Sequence, residues 1–150
     1  MTLEEKINAG IKEAMKSKDK IRLDALRAIK SQILLAKTAG GSKSEISDEE
    51  VLKILQKMVK QRKESAQLYR EKGRDDLAEE EINQAKIIEE LLPEQVSEEE
   101  LEKEIKNIIE QTGASSIRDM GKVMGVATKK FAGRADNKLI AEITKKLLNS

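Results

Sequence analysis

Apolar residues return at three- and four-residue steps along nearly the whole chain, the period of one buried helical face. Thr2 stands ahead of the first such stripe, Leu3, Ile7, Ile11, Ala14 and Met15, which ends near Ser17 to Lys20. A second stripe, Leu26, Ile29, Ile33 and Ala36, runs to Gly40 and Gly41, residues suited to a stop and a linker. Ser47 is followed three residues later by Glu50, and Ser97 by Glu100; in this pattern hydroxyl and carboxylate satisfy the free backbone donors of a helix start. From Ser47 the positions Leu55, Met58, Val59, Ala66 and Tyr69 predict a helix to about Lys72, a rod of roughly 35–40 Å, with Gly73 making a tight hairpin turn. Asp75 and Asp76 fit the positive start of the next helix, which carries Ala78, Ile82, Ala85, Ile88 and Leu92 before Pro93 stops it.

Three shorter helices are expected after Pro93. Ser97 to Thr112 carries Leu101, Ile105 and Ile108 and closes at Gly113. Ser116 to Phe131 carries Ile117, Met120, Met124, Ala127 and Phe131 and closes at Gly133, and Asp136 caps a last helix with Ile140, Ile143 and Leu147 inward. No alternating strand pattern, internal repeat or low-complexity segment is present. The predicted fold is all-α: a helical N-terminal domain over 1–93 with long helices and a hairpin, then a three-helix C-terminal domain over 97–150.

Composition narrows the chemistry. The 150 residues include no His, Cys or Trp, and Tyr69 and Phe131 are the only aromatic side chains. An ordinary zinc site, a thiolate nucleophile and a histidine base are therefore excluded, and the core must be aliphatic. Glu79, Glu80 and Glu81 are consecutive, so on a helix they point about 100° apart and cannot share a proton. A di-iron bundle needs Glu-x-x-His, and neither a GxxxxGK[ST] loop nor a GxGxxG turn occurs. No catalytic residue, metal or cofactor is assigned, and the residues alone do not point to a stand-alone enzyme. No run approaches the roughly 20 apolar residues of a membrane span, and the acidic start lacks the pattern of a signal peptide. A cytoplasmic protein without a membrane partner is expected.

A net charge of +1 conceals separation along the chain. Residues 16–37 carry +5, 53–74 carry +6, 75–95 carry −7, 94–116 carry −5 and 117–150 carry +5. Lys53, Lys57, Lys60, Lys63 and Arg70 share one helical face. Two readings are open there: a solvated face paired with the acidic helix that follows, or a surface turned toward a polyanion. Arg118, Lys122, Gly125 and Lys129 lie at four-, three- and four-residue steps, with Lys130, Arg134 and Lys138 near in sequence. A glycine in such a row admits a phosphate backbone closely; alternatively Gly121 and Gly125 let another helix pack. Arg22 and Arg62 fall on mostly apolar stripes, so each needs an internal carboxylate or a bound anion.

Six blocks, taken together and in order, carry a resemblance: KSKDKIRLDALRAIKS (16–31), VKQRKES (59–65), GRDDLAEEE (73–81), LLPEQ (91–95), DMGKVMG (119–125) and GRAD (133–136). The chain resembles the YqeY family of small bacterial proteins, departing from it at Leu91, where Tyr is common, and at Asn137, where Gly is common. The resemblance implies a C-terminal domain similar to the tail of GatB, a component of the tRNA-dependent amidotransferase. That enzyme converts Glu-tRNA(Gln) or Asp-tRNA(Asn) to the amide form, and the GatB tail helps hold tRNA. The tail match rests on Gly121, Lys122, Val123, Met124, Gly133, Arg134 and Ala135. A carbon–nitrogen ligase label with glutamine as amide donor would follow from that shared tail, although nothing here resembles the catalytic body of GatB. The resemblance implies a tRNA or structured-RNA accessory protein that uses Arg118, Lys122, Gly125, Lys129, Lys130, Arg134 and Lys138. The alternative is a helical module docking on a translation or amidotransferase partner, with Arg22, Lys53, Lys57, Lys60, Arg62, Lys63 and Arg70 as anion or partner contacts.

Overall fold

The structure, a computed structural model, describes residues 1–39 and 45–149. Among these the chain forms seven α-helices and one 3-10 turn and no strand, the all-α architecture that the periodicity predicts. The stop expected at Gly40 and Gly41 lies outside the described residues. The chain divides into two compact units, Met1–Leu92 and Pro93–Ser150.

In the first unit α1 (Leu3–Ser17) starts where the Thr2 hydroxyl accepts the Glu5 N–H at 3.1 Å. It ends at Lys18, whose left-handed backbone (φ 57°) lets its N–H reach the Ala14 and Met15 carbonyls. A lysine in that conformation leaves no glycine signal in the sequence, so the sharp turn into α2 (Lys20–Ala39) could not be read there. The two helices form an antiparallel hairpin in which a Cβ at Gly10 would stand only 3.0 Å from Leu26 Cδ1. The second hairpin joins α3 (Asp48–Glu71) to α4 (Asp75–Glu89) through Gly73, whose φ of 74° suits glycine. The core joins Ile7, Ala25, Leu26, Ile29 and Ile33 to Val51, Leu55, Met58, Val59 and Ile88.

Three expectations need correction in this unit. Met15 is 54% exposed, because Ile7 and Ala14 already fill the buried stripe of α1. Tyr69 is only partly buried. Helix α4 ends at Glu89, short of Pro93, so Leu92 packs against the core from an irregular segment. At the α3 start the Ser47 hydroxyl accepts the Glu50 N–H at 3.2 Å, but it also donates to the Glu50 carboxylate at 3.1 Å.

The second unit contains α5 (Glu98–Thr112), a 3-10 turn (Ile117–Asp119), α6 (Met120–Lys130) and α7 (Asn137–Leu148). Ser97 caps α5, and the Asp136 carboxylate accepts the Lys138 N–H at the start of α7. The helix expected from Ser116 begins instead at Met120. The Asp119 carboxylate holds the Ser115 and Ser116 N–H groups at 2.9 and 3.3 Å and winds the preceding residues into the tighter turn. Ile117 is consequently 42% exposed, and Val123 is buried in place of Met124. Leu101, Ile105, Ile108, Val123, Ala127, Phe131 and Ile140 make the core, and Thr144 satisfies its buried hydroxyl on the Ile140 carbonyl at 2.7 Å.

Phe131 is the largest fully buried side chain, at 1% exposure. Truncating it to Ala is expected to cost about 3–5 kcal/mol, most of what a domain of this size possesses. Amide hydrogen exchange on Phe131→Ala should show protection lost throughout residues 93–149 while α1 to α4 keep theirs. Loss across the whole chain would contradict two separate cores.

Candidate functional site

Helix α6 presents an exposed face. Gly121, Lys122, Gly125, Val126 and Lys129 are exposed, and at 100° per residue they fall within an arc of about 140°. A Cβ placed at Gly121 or Gly125 would meet no atom within 4 Å. Close packing of another helix of this chain, one of the two readings of these glycines, is therefore not what they serve among the described residues. Gly125 sits in the helix interior, where glycine costs about 0.5–1 kcal/mol relative to alanine, and Gly121 lies in the first turn. Arg118 is exposed on the 3-10 turn, so the straight helical row begins at Lys122.

The other C-terminal candidates are placed differently. Lys130 Nζ sits 2.7 Å from Glu104 of α5 and 5.8 Å from the Phe131 ring centre, and it holds the Glu104 carboxyl below the usual range. Arg134 Nε donates to the Glu94 carbonyl at 3.1 Å, while the Val96 N–H donates back to the Arg134 carbonyl at 3.0 Å. Gln95 Nε2 donates to the Gly133 carbonyl at 2.7 Å. Arg134 and Gly133 thus fasten residues 94–96 onto their own unit, a role that the spacing could not reveal. Lys138 is exposed on the first turn of α7.

The N-terminal candidates also separate. Arg22 donates to both Glu90 oxygens, at 2.7 and 3.3 Å, and lies 3.4 Å from Asp19. The hydrogen bond to Glu90 raises the guanidinium's pKa and holds the Glu90 carboxyl below its usual range. Arg62 has no carboxylate partner among the described residues: its Nε donates to the Gln84 amide oxygen at 3.0 Å. Its partial exposure explains why a neutral acceptor suffices. Lys63 pairs with Glu89 at 3.1 Å, Lys53, Lys57 and Lys60 follow the outer side of the first half of α3, and Arg70 is exposed near its end. Of the basic stripe, Lys63 is thereby used within the hairpin.

A helical two-unit protein with a basic, glycine-marked helix matches the family model described as Yqey-like protein over residues 4–148. The chain belongs to the YqeY family. It is 32% identical over 133 residues to "Altered inheritance of mitochondria protein 41, mitochondrial" of Pyrenophora tritici-repentis, covering 87% of this chain and 71% of that relative. The protein of the same name in Clavispora lusitaniae is 34% identical over 112 residues, covering 73% of this chain and 64% of the relative. An uncharacterized protein of Schizosaccharomyces pombe is 34% identical over 91 residues, covering 61% and 72%. Among the described residues no helix is long and apolar enough to cross a membrane.

Asp119 is the residue that shapes the entrance to α6, and its two backbone donors, Ser115 first and then Ser116, hold its carboxyl below the usual range. A depressed carboxyl stabilises the fold above its ordinary pKa and loses that contribution as pH falls through the depressed value. Protection of the Ser115 and Ser116 amides, measured against their intrinsic exchange rates, should therefore persist at neutral pH and be lost as pH falls through the depressed value. Asp119→Asn should exchange fast there at neutral pH, with that acid dependence gone; protection equal to the parent chain would contradict this role.

Proposed function

We propose that the protein binds structured RNA, with tRNA as the ligand class that the family resemblance favours, through the exposed face of α6. The pair Gly121 and Gly125 carries this reading. The helix carries one glycine in its first turn and one in its interior, a Cβ at either would meet no atom within 4 Å among the described residues, and Lys122 and Lys129 share the same face. A surface without Cβ atoms admits a sugar–phosphate backbone closely, and the ammonium groups neutralise it. Recognition is by backbone and shape, because Phe131 is buried and the second unit has no other aromatic side chain on which a base could stack. Arg118 and Lys138 add charge from the adjoining turn and from α7, while Lys130 and Arg134 act chiefly inside the fold.

Titration of purified tRNA at two salt concentrations tests this reading. Four neutralised phosphates correspond to a slope of log K against log salt of about −3. Lys122→Glu with Lys129→Glu should abolish binding. Gly121→Ala with Gly125→Ala should raise the melting temperature, each change adding up to about 0.5–1 kcal/mol, and yet weaken RNA binding. Absence of tRNA binding at low salt, or unchanged binding by the double glutamate variant, would end the proposal.

A further inference from the structure

The first unit holds a groove that the RNA-binding reading does not involve. Helix α3 begins beside the start of α1, where the Leu3 N–H donates to Asp48 Oδ1 at 3.0 Å. The Lys37–Glu4 ion pair ties the end of α2 to the same place. Helices α2 and α3 therefore run antiparallel from this corner. Helix α4 packs against both but stops at Glu89, beside Lys63. Beyond that stop, the second half of α2 and the first half of α3 leave a half-open cleft of about 340 Å³.

Its lining is aliphatic along the middle, with Leu35 and Ala36 facing Ile54 and Met58, and amide at one end, with Gln32 and Gln61. Leu35 is 61% exposed although it belongs to a helix whose neighbouring stripe is fully buried. Lys57 lines the cleft, and Lys53 stands one turn earlier; both are exposed and neither forms an ion pair among the described residues. Residues 32 to 39 of α2 span about 10 Å, close to two helical turns. An occupant that offers aliphatic side chains at i, i+4 and i+7 matches this length, and a methionine floor adapts to their shape. Nucleic acid is a poor fit, because the walls are aliphatic and provide no stacking surface.

We propose that this groove docks an amphipathic helix of a partner protein, with two or three aliphatic anchors on one face and acidic side chains flanking them. Lys57 in the lining and Lys53 one turn earlier set the preference for acidic flanks, since both ammonium groups are exposed at the groove and neither is in an ion pair among the described residues. The Gln32 and Gln61 amides take the free backbone groups at one terminus of the docked helix. A second copy of the chain is disfavoured as occupant, because a two-fold contact through this face would set its basic rim near its own copy.

The test uses the full chain, isotopically labelled, and a set of synthetic amphipathic helices of about 18 residues, a length that spans the groove with turns to spare. The helices carry Leu, Ile or Met anchors and glutamate flanks, and a matched set carries lysine flanks. The acidic set should shift the amide signals of residues 32–39 and 54–61. Lys53→Glu with Lys57→Glu should weaken its binding about tenfold, and Ala36→Leu, which fills the groove without changing charge, should weaken it as well. The proposal is overturned if no acidic helix binds, if both sets bind equally, or if the shifts fall on α6. It is also overturned if light scattering shows a dimer that buries the groove, or if tRNA shifts these same signals.

Discussion

Aliphatic side chains hold the first unit and, around the single ring of Phe131, the second, and most of what the surface does follows from that restriction. With Tyr69 only partly buried and Phe131 confined to the second unit, no aromatic ring supplies bulk to the first core. Ile7, Ile29, Ile33, Leu55 and Ile88 fill it, while Ala14, Ala25, Ala66, Ala78 and Ala85 bring the helices close enough for those side chains to interdigitate. Branched and small residues of this kind bury narrow stripes, at about 25 cal/mol per Å². The wide remainder of each helix is left polar, which is how a chain with 38% charged residues still encloses two cores.

That remainder is not uniform. Some charges close the fold: Lys63 meets Glu89 across the second hairpin, Arg22 joins the start of α2 to Glu90, and Lys130 crosses from the end of α6 to Glu104. These pairs are partly exposed, so each contributes at most about 1 kcal/mol and mainly fixes register. Other charges form no ion pair among the described residues, although Lys122 stands close enough to Asp119 to help hold its carboxyl below the usual range. Lys122 and Lys129 lie on one face of α6, and Lys53 and Lys57 lie beside the cleft of α2 and α3. The two sets differ in their surroundings, glycine in one case and aliphatic side chains in the other, and the two proposals rest on this difference.

Much of the fold was legible because the signals were local. Thr2, Ser47, Ser97 and Asp136 cap the helices they precede, and the stripes of Leu26, Ile29 and Ile33 or of Leu101, Ile105 and Ile108 are buried as their spacing requires. What escaped depends on groups far apart in sequence or on competition within a turn. Lys18 takes a left-handed conformation because two carbonyls of α1 reward its N–H, a choice its side chain does not announce. The apolar spacing of Ile117, Met120 and Met124 is helical, yet Asp119 captures two backbone donors and displaces the start of α6 by a turn. Arg62 finds Gln84, and Arg134 finds the Glu94 carbonyl forty residues away, so neither partner could be named from periodicity. Among the candidate site residues, Lys122, Gly125 and Lys129 kept the common face that their spacing indicates, while Lys130 and Arg134 were drawn into structural contacts.

The glycines give the strongest internal comparison. Gly10 sits inside α1 with a clear reason: a side chain there would press on Leu26 at 3.0 Å, so removing the Cβ is what allows the first hairpin to close. The cost of a helical glycine is offset at that point by packing. Gly125 bears the same cost with open space above it, and Gly121, in the first turn of α6, faces open space too. Alanine at both positions would fit the helix and strengthen it, so stability alone cannot account for the residues present. The remaining physical use of a missing Cβ on an exposed helix is close approach by something outside the unit. The lysines one and four residues away make the field at that surface positive.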